Sequence, residues 1–176
     1  MKLKIFNFIK LSLLKLNVKN GLWIVSLSML FFIIDKLSKM YVLFLWKNSK
    51  LPINILPFFD IHLIINKGVS FSIFYNLDYR FLCILSLCSL CICLVVILNI
   101  FSEITWYHIV AISLLIGGSL GNLLDRAQYK GVVDFFYLYY TNFSFPVFNM
   151  ADCFISLCGF IVILDIFFIN KVKKAS

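Results

Sequence analysis

The chain has 176 residues, 62% of them hydrophobic and 14% charged, with a mean hydropathy of +1.00. A soluble domain averages roughly 45–50% apolar and ~25% charged, so this composition excludes a water-soluble multidomain protein and points to an integral membrane protein. Sixteen Lys and Arg against eight acids leave a net charge of +8, which suits anionic lipid headgroups, and no basic run interleaved with aromatics suggests nucleic acid.

About twenty apolar residues are needed to cross a bilayer, and the runs fall into four spans. Residues 1–19 mix lysines with Leu, Ile and Phe at near-helical spacing and predict an amphipathic lead-in along the inner membrane surface. The first span covers 21–46, with Asp35 and Lys36 read as a charged turn near its outer end; no small-residue cleavage site follows, so it reads as an uncleaved helix. Residues 47–79 contain Pro52, Pro57 and short β-prone runs such as 61–65, which predict a small β cradle outside the membrane. Uncharged runs give a second span at 81–101 and a third at 104–124. Residues 127–149 read as an outer loop with a possible strand, 150–170 as the fourth span and 171–176 as a tail. The expected fold is an all-α integral membrane protein, one domain of four transmembrane helices with a small extracytoplasmic β cradle. Lysines crowd both tails (Lys2, Lys4, Lys10, Lys15 and Lys19; Lys171, Lys173 and Lys174), which predicts cytoplasmic termini and an even number of spans. The short connection at Glu103 carries no Lys or Arg, so orientation rests on the tails.

The acids carry the functional signal, because an ionisable group at membrane depth costs at least ~2.5 kcal/mol unless it is paired or faces a polar cavity. Asp60, Asp78 and Glu103 read as solvated loop charges, and Asp165 as an inner-surface partner for Lys171. Asp35, Asp125, Asp134 and Asp152 converge on one layer near the outer surface if the termini are inside. Polar pairs share helical faces there: Asp35 with Lys39, Asn122 with Asp125, and Asn149 with Asp152. Gly117, Gly118 and Gly121 allow the third helix a close approach to a neighbour. Two carboxylates sharing a proton can hydrolyse a peptide, one as base on water and the other, protonated, polarising the carbonyl. Asp125 is followed by Arg126, which would hold it ionised. Asp134 is bracketed by Val132, Val133, Phe135 and Phe136, whose desolvation raises a carboxyl pKa, and Asp152 opens a helix. Asp134 with Asp152 is therefore the better pair, against a plainer reading of these acids as helix caps and interface anchors.

Other patterns carry less. The run from Gly117 to Gly121 matches G-x-S-x-G, but Ser119 lies inside an apolar helix without the strand-to-helix elbow that motif needs. His62 and His108 sit on different segments with no H-E-x-x-H, so zinc chemistry is unsupported; no metal and no cofactor is expected. The six cysteines fall in apolar runs and read as small core hydrophobes.

Five blocks then occur in a telling order: Asp35-Lys-Leu-Ser-Lys39, Asn66-Lys-Gly68-Val-Ser-Phe71, Gly117-Gly-Ser-Leu-Gly-Asn122-Leu-Leu-Asp125-Arg126, Val132-Val-Asp134-Phe135 and Phe148-Asn149-Met-Ala151-Asp152. From about residue 23 to 170 the chain resembles the bacterial lipoprotein signal peptidases, or signal peptidase II family. The resemblance implies an inner-membrane aspartic endopeptidase that removes signal peptides from prolipoproteins on the N-terminal side of a diacylglyceryl-modified cysteine, with its site toward the outer face. It implies Asp134 and Asp152 as the catalytic pair. Asn66, Gly68, Asn122, Arg126 and Asn149 would bind substrate or support the pair, with Asp35, Lys39 and Asp125 supporting them. The family usually has two alanines where Val69 and Ser70 stand. The implied partners are diacylglyceryl-prolipoproteins and membrane lipids. A small channel or transporter subunit is the alternative, but it should line a continuous polar path, and the middles of the second and third spans hold no charge.

Overall fold

The computed structural model describes residues 17–68, 78–100 and 104–169. Most of the lead-in, the turn at Val69 and Ser70, Glu103 and the lysine-rich tail lie outside the described residues. Among the described residues, four helices are long and apolar enough to cross a membrane. They are α1 (Val18–Lys47), α2 (Tyr79–Ile100), α3 (Trp106–Tyr129) and α4 (Met150–Leu164), the last running on through a π-helical turn, Asp165–Ile169. The sheet is formed by β1 (Ile53–Leu56), β2 (Phe59–Asn66), β3 (Val132–Tyr140) and β4 (Phe143–Ser144), antiparallel and in sequence order.

Helix α1 contains 30 residues, about 45 Å at 1.5 Å per residue, and exceeds a ~30 Å hydrocarbon core. The charged turn expected at Asp35 and Lys36 is not a turn. The helix runs straight through, because Lys39 stands one turn beyond Asp35 and neutralises it on the buried face. Ile24, Ser28, Asp35, Lys39 and Val42 form the buried stripe of α1, which faces α3.

Helix α3 is the hub, packing on α1, α2 and α4. Its glycines explain how it serves two neighbours at once. A Cβ on Gly117 would stand 2.7 Å from the Ser28 carbonyl of α1, and one on Gly118 would stand 2.7 Å from the Ala151 carbonyl of α4. At Gly121 it would strike the Asp35 carboxylate. The three bare positions thus bring both flanking backbones close at the depth of the acidic residues. Around them Ile24, Ile109, Ile112, Leu115, Phe154 and Cys158 form the apolar core.

Lys130, in the left-handed conformation at φ 56°, ends α3 and turns the chain into β3. The segment expected as an outer loop therefore supplies the longest strand of the cradle. β3 is apolar without alternation because it is covered on both faces: Val132, Val133, Asp134 and Phe135 are all buried. Two backbone bonds from the N–H groups of Phe135 and Phe136 to the Phe148 carbonyl, and one back from Phe148 to Phe136, fix the start of α4 beside β3.

Other acids found partners that sequence reading had not assigned. Asp60 is buried, not solvated; it sits on β2 and accepts from Asn54 and Tyr139. Asp165 is buried at the opposite end of the bundle, where Tyr107 and His108 reach its Oδ1, both at 3.2 Å. The Thr105 N–H donates to His108 Nδ1, so in the neutral ring Nε2 carries the proton toward Asp165. Lys171, its expected partner, lies outside the described residues. The cysteines form no disulfide, but Cys88, Cys91 and Cys93 are exposed on α2 rather than in the core, and only Cys158 is fully buried.

Candidate active site

The four converging aspartates form two adjoining groups on the sheet side of the bundle. The first is centred on Lys39, whose ammonium forms ion pairs with Asp35 Oδ2 and Asp125 Oδ2, both at 2.8 Å, and donates to Asn122 Oδ1 at 2.9 Å. Asp35 and Asp125 are 0% exposed and Lys39 1%, so this charge cluster survives burial only because every member is paired. Asp35 Oδ1 also accepts the Ala151 N–H, capping the first turn of α4 from α1. Asp125 finds its counterions in Lys39 and Lys36 (2.9 Å), with the Val133 N–H as a further donor; the neighbouring Arg126 does not serve it and instead lines the cavity. The cluster thereby ties α1, α3, α4 and β3 together.

The second group contains Asp134 and Asp152, joined by carboxamides. Asn149 is the N-cap of α4 and forms a reciprocal capping box with Asp152. Its Oδ1 accepts the Asp152 N–H at 3.1 Å, and its own N–H donates to Asp152 Oδ2 at 3.2 Å. The Nδ2 of the same residue donates to Asp134 Oδ1 and, at 3.2 Å, to Asn122 Oδ1. Asn149 therefore touches both carboxylates. Asn122 donates its Nδ2 to Asp152 Oδ1 at 3.0 Å, while its Oδ1 takes Lys39, so the ammonium fixes which end of the amide faces Asp152. Asn66 donates to Asp134 Oδ2 at 3.0 Å. The β2–β3 register explains this reach: Asp134 lies opposite Ile64, and Asn66, two residues on, is its diagonal neighbour on the same face. The Gly68 N–H donates to Asn66 Oδ1 at 3.0 Å, so Gly68 meets the site through Asn66.

These contacts leave Asp134 unusual. Burial among apolar strand residues, and then the Asp152 charge, push its pKa from 3.8 up to about 7, against the lowering pull of the Asn66 and Asn149 hydrogen bonds. Near neutral pH Asp134 can therefore carry a proton.

A cavity of about 600 Å³ opens beside the pair. Asn66, Asn122 and Arg126 line it with both aspartates, and it extends along α2, α3 and α4 past Ser86, Ser119 and Ser156. Among the described residues, the Arg126 guanidinium donates to the Asn122 carbonyl at 3.5 Å, and its buried Nε has no partner. Among the described residues, no group of three or more His, Cys, Asp or Glu is gathered closely enough to hold a metal ion.

With this geometry in hand, likeness to known proteins is decisive. A family model described as signal peptidase (SPase) II matches residues 27–168. The chain belongs to the signal peptidase II family. It is 38% identical over 155 residues to the lipoprotein signal peptidase of Pasteurella multocida (strain Pm70), covering 85% of this chain and 91% of that protein. The corresponding Pelagibacter ubique (strain HTCC1062) protein is 35% identical over 161 residues, covering 89% and 95%. A solved bacterial membrane enzyme superposes with a TM-score of 0.65 at 27% identity over 87% of this chain and 89% of its own. This protein is thus a multi-pass bacterial membrane protease of the signal peptidase II family, and the channel or transporter alternative finds no support.

The residues of the amide relay are among those the sequence singles out, but their connections join positions 15 to 83 apart, and no local pattern announces them. Ser119 belongs to a false nucleophile motif in the sequence, yet it lines the cavity.

Proposed function

We propose that this protein is an aspartic endopeptidase of the bacterial inner membrane that cleaves prolipoproteins immediately before a diacylglyceryl-modified cysteine, with Asp134 and Asp152 as its catalytic pair. The observation that carries the reading is the bridge of Asn149 to both carboxylates, one of them pushed up to about 7. Asp134 in its protonated form donates to the scissile carbonyl oxygen. Asp152, at the positive end of α4, takes the proton of the attacking water, whose oxygen bonds to the carbonyl carbon. On collapse of the resulting diol, the C–N bond breaks, Asp152 returns a proton to the departing cysteine nitrogen and Asp134 recovers its own.

Asn66, Asn122 and Asn149 hold the carboxylates in register, and Gly68 holds Asn66. Arg126, whose side chain lines the cavity, holds the peptide carbonyls or glyceryl esters of the substrate. Asp35, Lys39 and Asp125 support this arrangement from behind. In the membrane, both termini are cytoplasmic and the cradle and catalytic pair face outward. A diacylglyceryl anchor buries many CH₂ groups at ~0.8 kcal/mol each, so its seating in the bilayer fixes the depth of the scissile bond relative to the pair.

Single-turnover cleavage of one precursor in lipidated and unlipidated forms tests this reading. The lipidated form should be cut and the unlipidated form left intact. Similar rates for both would make the protein a general signal-sequence protease and remove the depth argument.

A further inference from the structure

The cavity reaches beyond the catalytic pair in an unusual direction. Helices α2 and α4 each pack on α3 but scarcely on each other, so a gap between them exposes one face of α3. Its walls carry hydroxyls where a lipid-facing surface should be apolar: Ser86 and Ser89 from α2, Ser119 from α3 and Ser156 from α4. These positions continue the polar faces of the site. Ser119, Asn122 and Arg126 follow i, i+3, i+7 spacing on α3, and Ser156 lies one turn from Asp152 on α4. At 1.5 Å per residue, Ser119 is about 4.5 Å below Asn122 and Ser156 about 6 Å below Asp152, away from the sheet and toward the middle of the bundle.

A signal segment cut at Asp134 and Asp152 must reach them as extended backbone, because a helix keeps each carbonyl in its own hydrogen bond. Unwinding within the hydrocarbon layer is costly. The last four carbonyls of the remaining helix have no internal partner, and the extended residues beyond it lose theirs; each group left unsatisfied in lipid costs several kcal/mol. Extended chain advances ~3.3 Å per residue, so hydroxyls 4.5–6 Å below the pair stand beside about the two residues preceding the cleaved bond.

Resting on the proteolytic reading above, we propose that Ser86, Ser89, Ser119 and Ser156 are positioning residues that replace the lost helical hydrogen bonds of the substrate, so that the segment preceding the scissile bond unwinds inside the α2–α4 gap. The serines are suited to this exchange. Ser86 donates to the Leu82 carbonyl at 2.7 Å and Ser89 to the Ser86 carbonyl at 2.8 Å, so in the empty gap these protons rest on their own helix. A hydroxyl has one donor and two acceptor sites and can turn from its own helix to a substrate carbonyl, or accept a substrate N–H without turning. Arg126, which lines the same cavity one turn beyond Asn122, meets the same segment nearer the pair. Small side chains alone would also leave room for a helix, so the test must separate hydroxyl from size.

The experiment compares kcat/KM of the full-length protein on two synthetic lipidated precursors, identical except that in one the amide two residues before the cleaved bond is replaced by an ester. Ser119→Ala with Ser156→Ala should lower kcat/KM about tenfold on the amide precursor, the scale of a hydrogen bond or two, and the loss should shrink toward nothing on the ester. Ser156→Ala alone should lose less in the same pattern, while Ser156→Thr, which keeps the hydroxyl, should retain the rate. Unchanged kcat/KM in the double variant, or an equal loss on both backbones as packing or folding damage would give, would overturn the inference while leaving the peptidase reading intact. Failure of the wild-type protein to cut the amide precursor would overturn that reading, and this inference with it.

Discussion

At the scale of single residues, Lys39 and Asp134 are the positions where charge and burial conflict most sharply. Lys39 forms ion pairs with Asp35 and Asp125 and donates to Asn122. Lys39→Met would leave buried Asp35 without its cation, leave Asp125 with Lys36 alone, and release the Asn122 amide that donates to Asp152. Removal of one partner from a buried ion pair costs ~3–5 kcal/mol, so this variant should melt far below wild type in detergent and lose activity. A Lys39→Met protein with wild-type melting and turnover would show that the cluster does not support the site. Asp134 makes the opposite prediction. Its folded pKa of about 7 exceeds the ordinary 3.8, so the stability it contributes is complete below about 4 and is lost as pH rises through 7. Asp134→Asn, permanently neutral, should therefore melt above wild type at pH 8 and close to it at pH 4, as thermal unfolding at the two pH values would reveal. A variant less stable at pH 8 than at pH 4, relative to wild type, would contradict the raised pKa.

At the scale of elements, the approach of α3 to its neighbours depends on missing side chains. Gly118→Ala would push against the Ala151 backbone at the first turn of α4, next to Asp152, and backbone cannot yield as a flexible side chain can. We expect lower stability, by the ~1–3 kcal/mol typical of overpacking, together with reduced kcat, because the shift moves the capping box that holds Asp152. Gly159→Ala on the same helix as Asp152, where a Cβ meets nothing within 4 Å, provides the control in both assays and should resemble wild type. Elements also divide what the sequence makes legible. The spans were readable because the bilayer demands long apolar runs of any helix that crosses it. The helical course of α1 through Asp35 was only half legible: Asp35 and Lys39 stand one turn apart in the sequence, but the second carboxylate on Lys39 comes from Asp125, 90 positions from Asp35. Strand β3 was only half visible, because burial on both faces erases the alternation that marks a strand. The same limit holds for the site: local context favours Asp134 with Asp152, and helical spacing marks Asn122 and Asn149, whereas Asn66 comes from family likeness and all three acquire their atom-level roles only from the structure.

At the scale of the whole molecule, one bundle separates two polar layers. The layer beside the sheet holds the candidate catalytic pair, and the other end holds His108 and Asp165 between α3 and the end of α4. The long α1, the glycine-bearing hub of α3 and the β3 strand converge on the first layer, so the aspartates lie where helix ends meet the cradle. The most direct test of this account is single-turnover cleavage of one lipidated precursor by Asp134→Asn, Asp152→Asn and Asp125→Asn proteins, each checked for insertion and substrate binding. An amide can neither hold nor pass the shared proton, so the first two should lose at least about a hundredfold in rate while still binding substrate, and Asp125→Asn should lose less. Near-normal turnover by Asp134→Asn or Asp152→Asn, with Asp125→Asn inactive, would contradict the assigned pair.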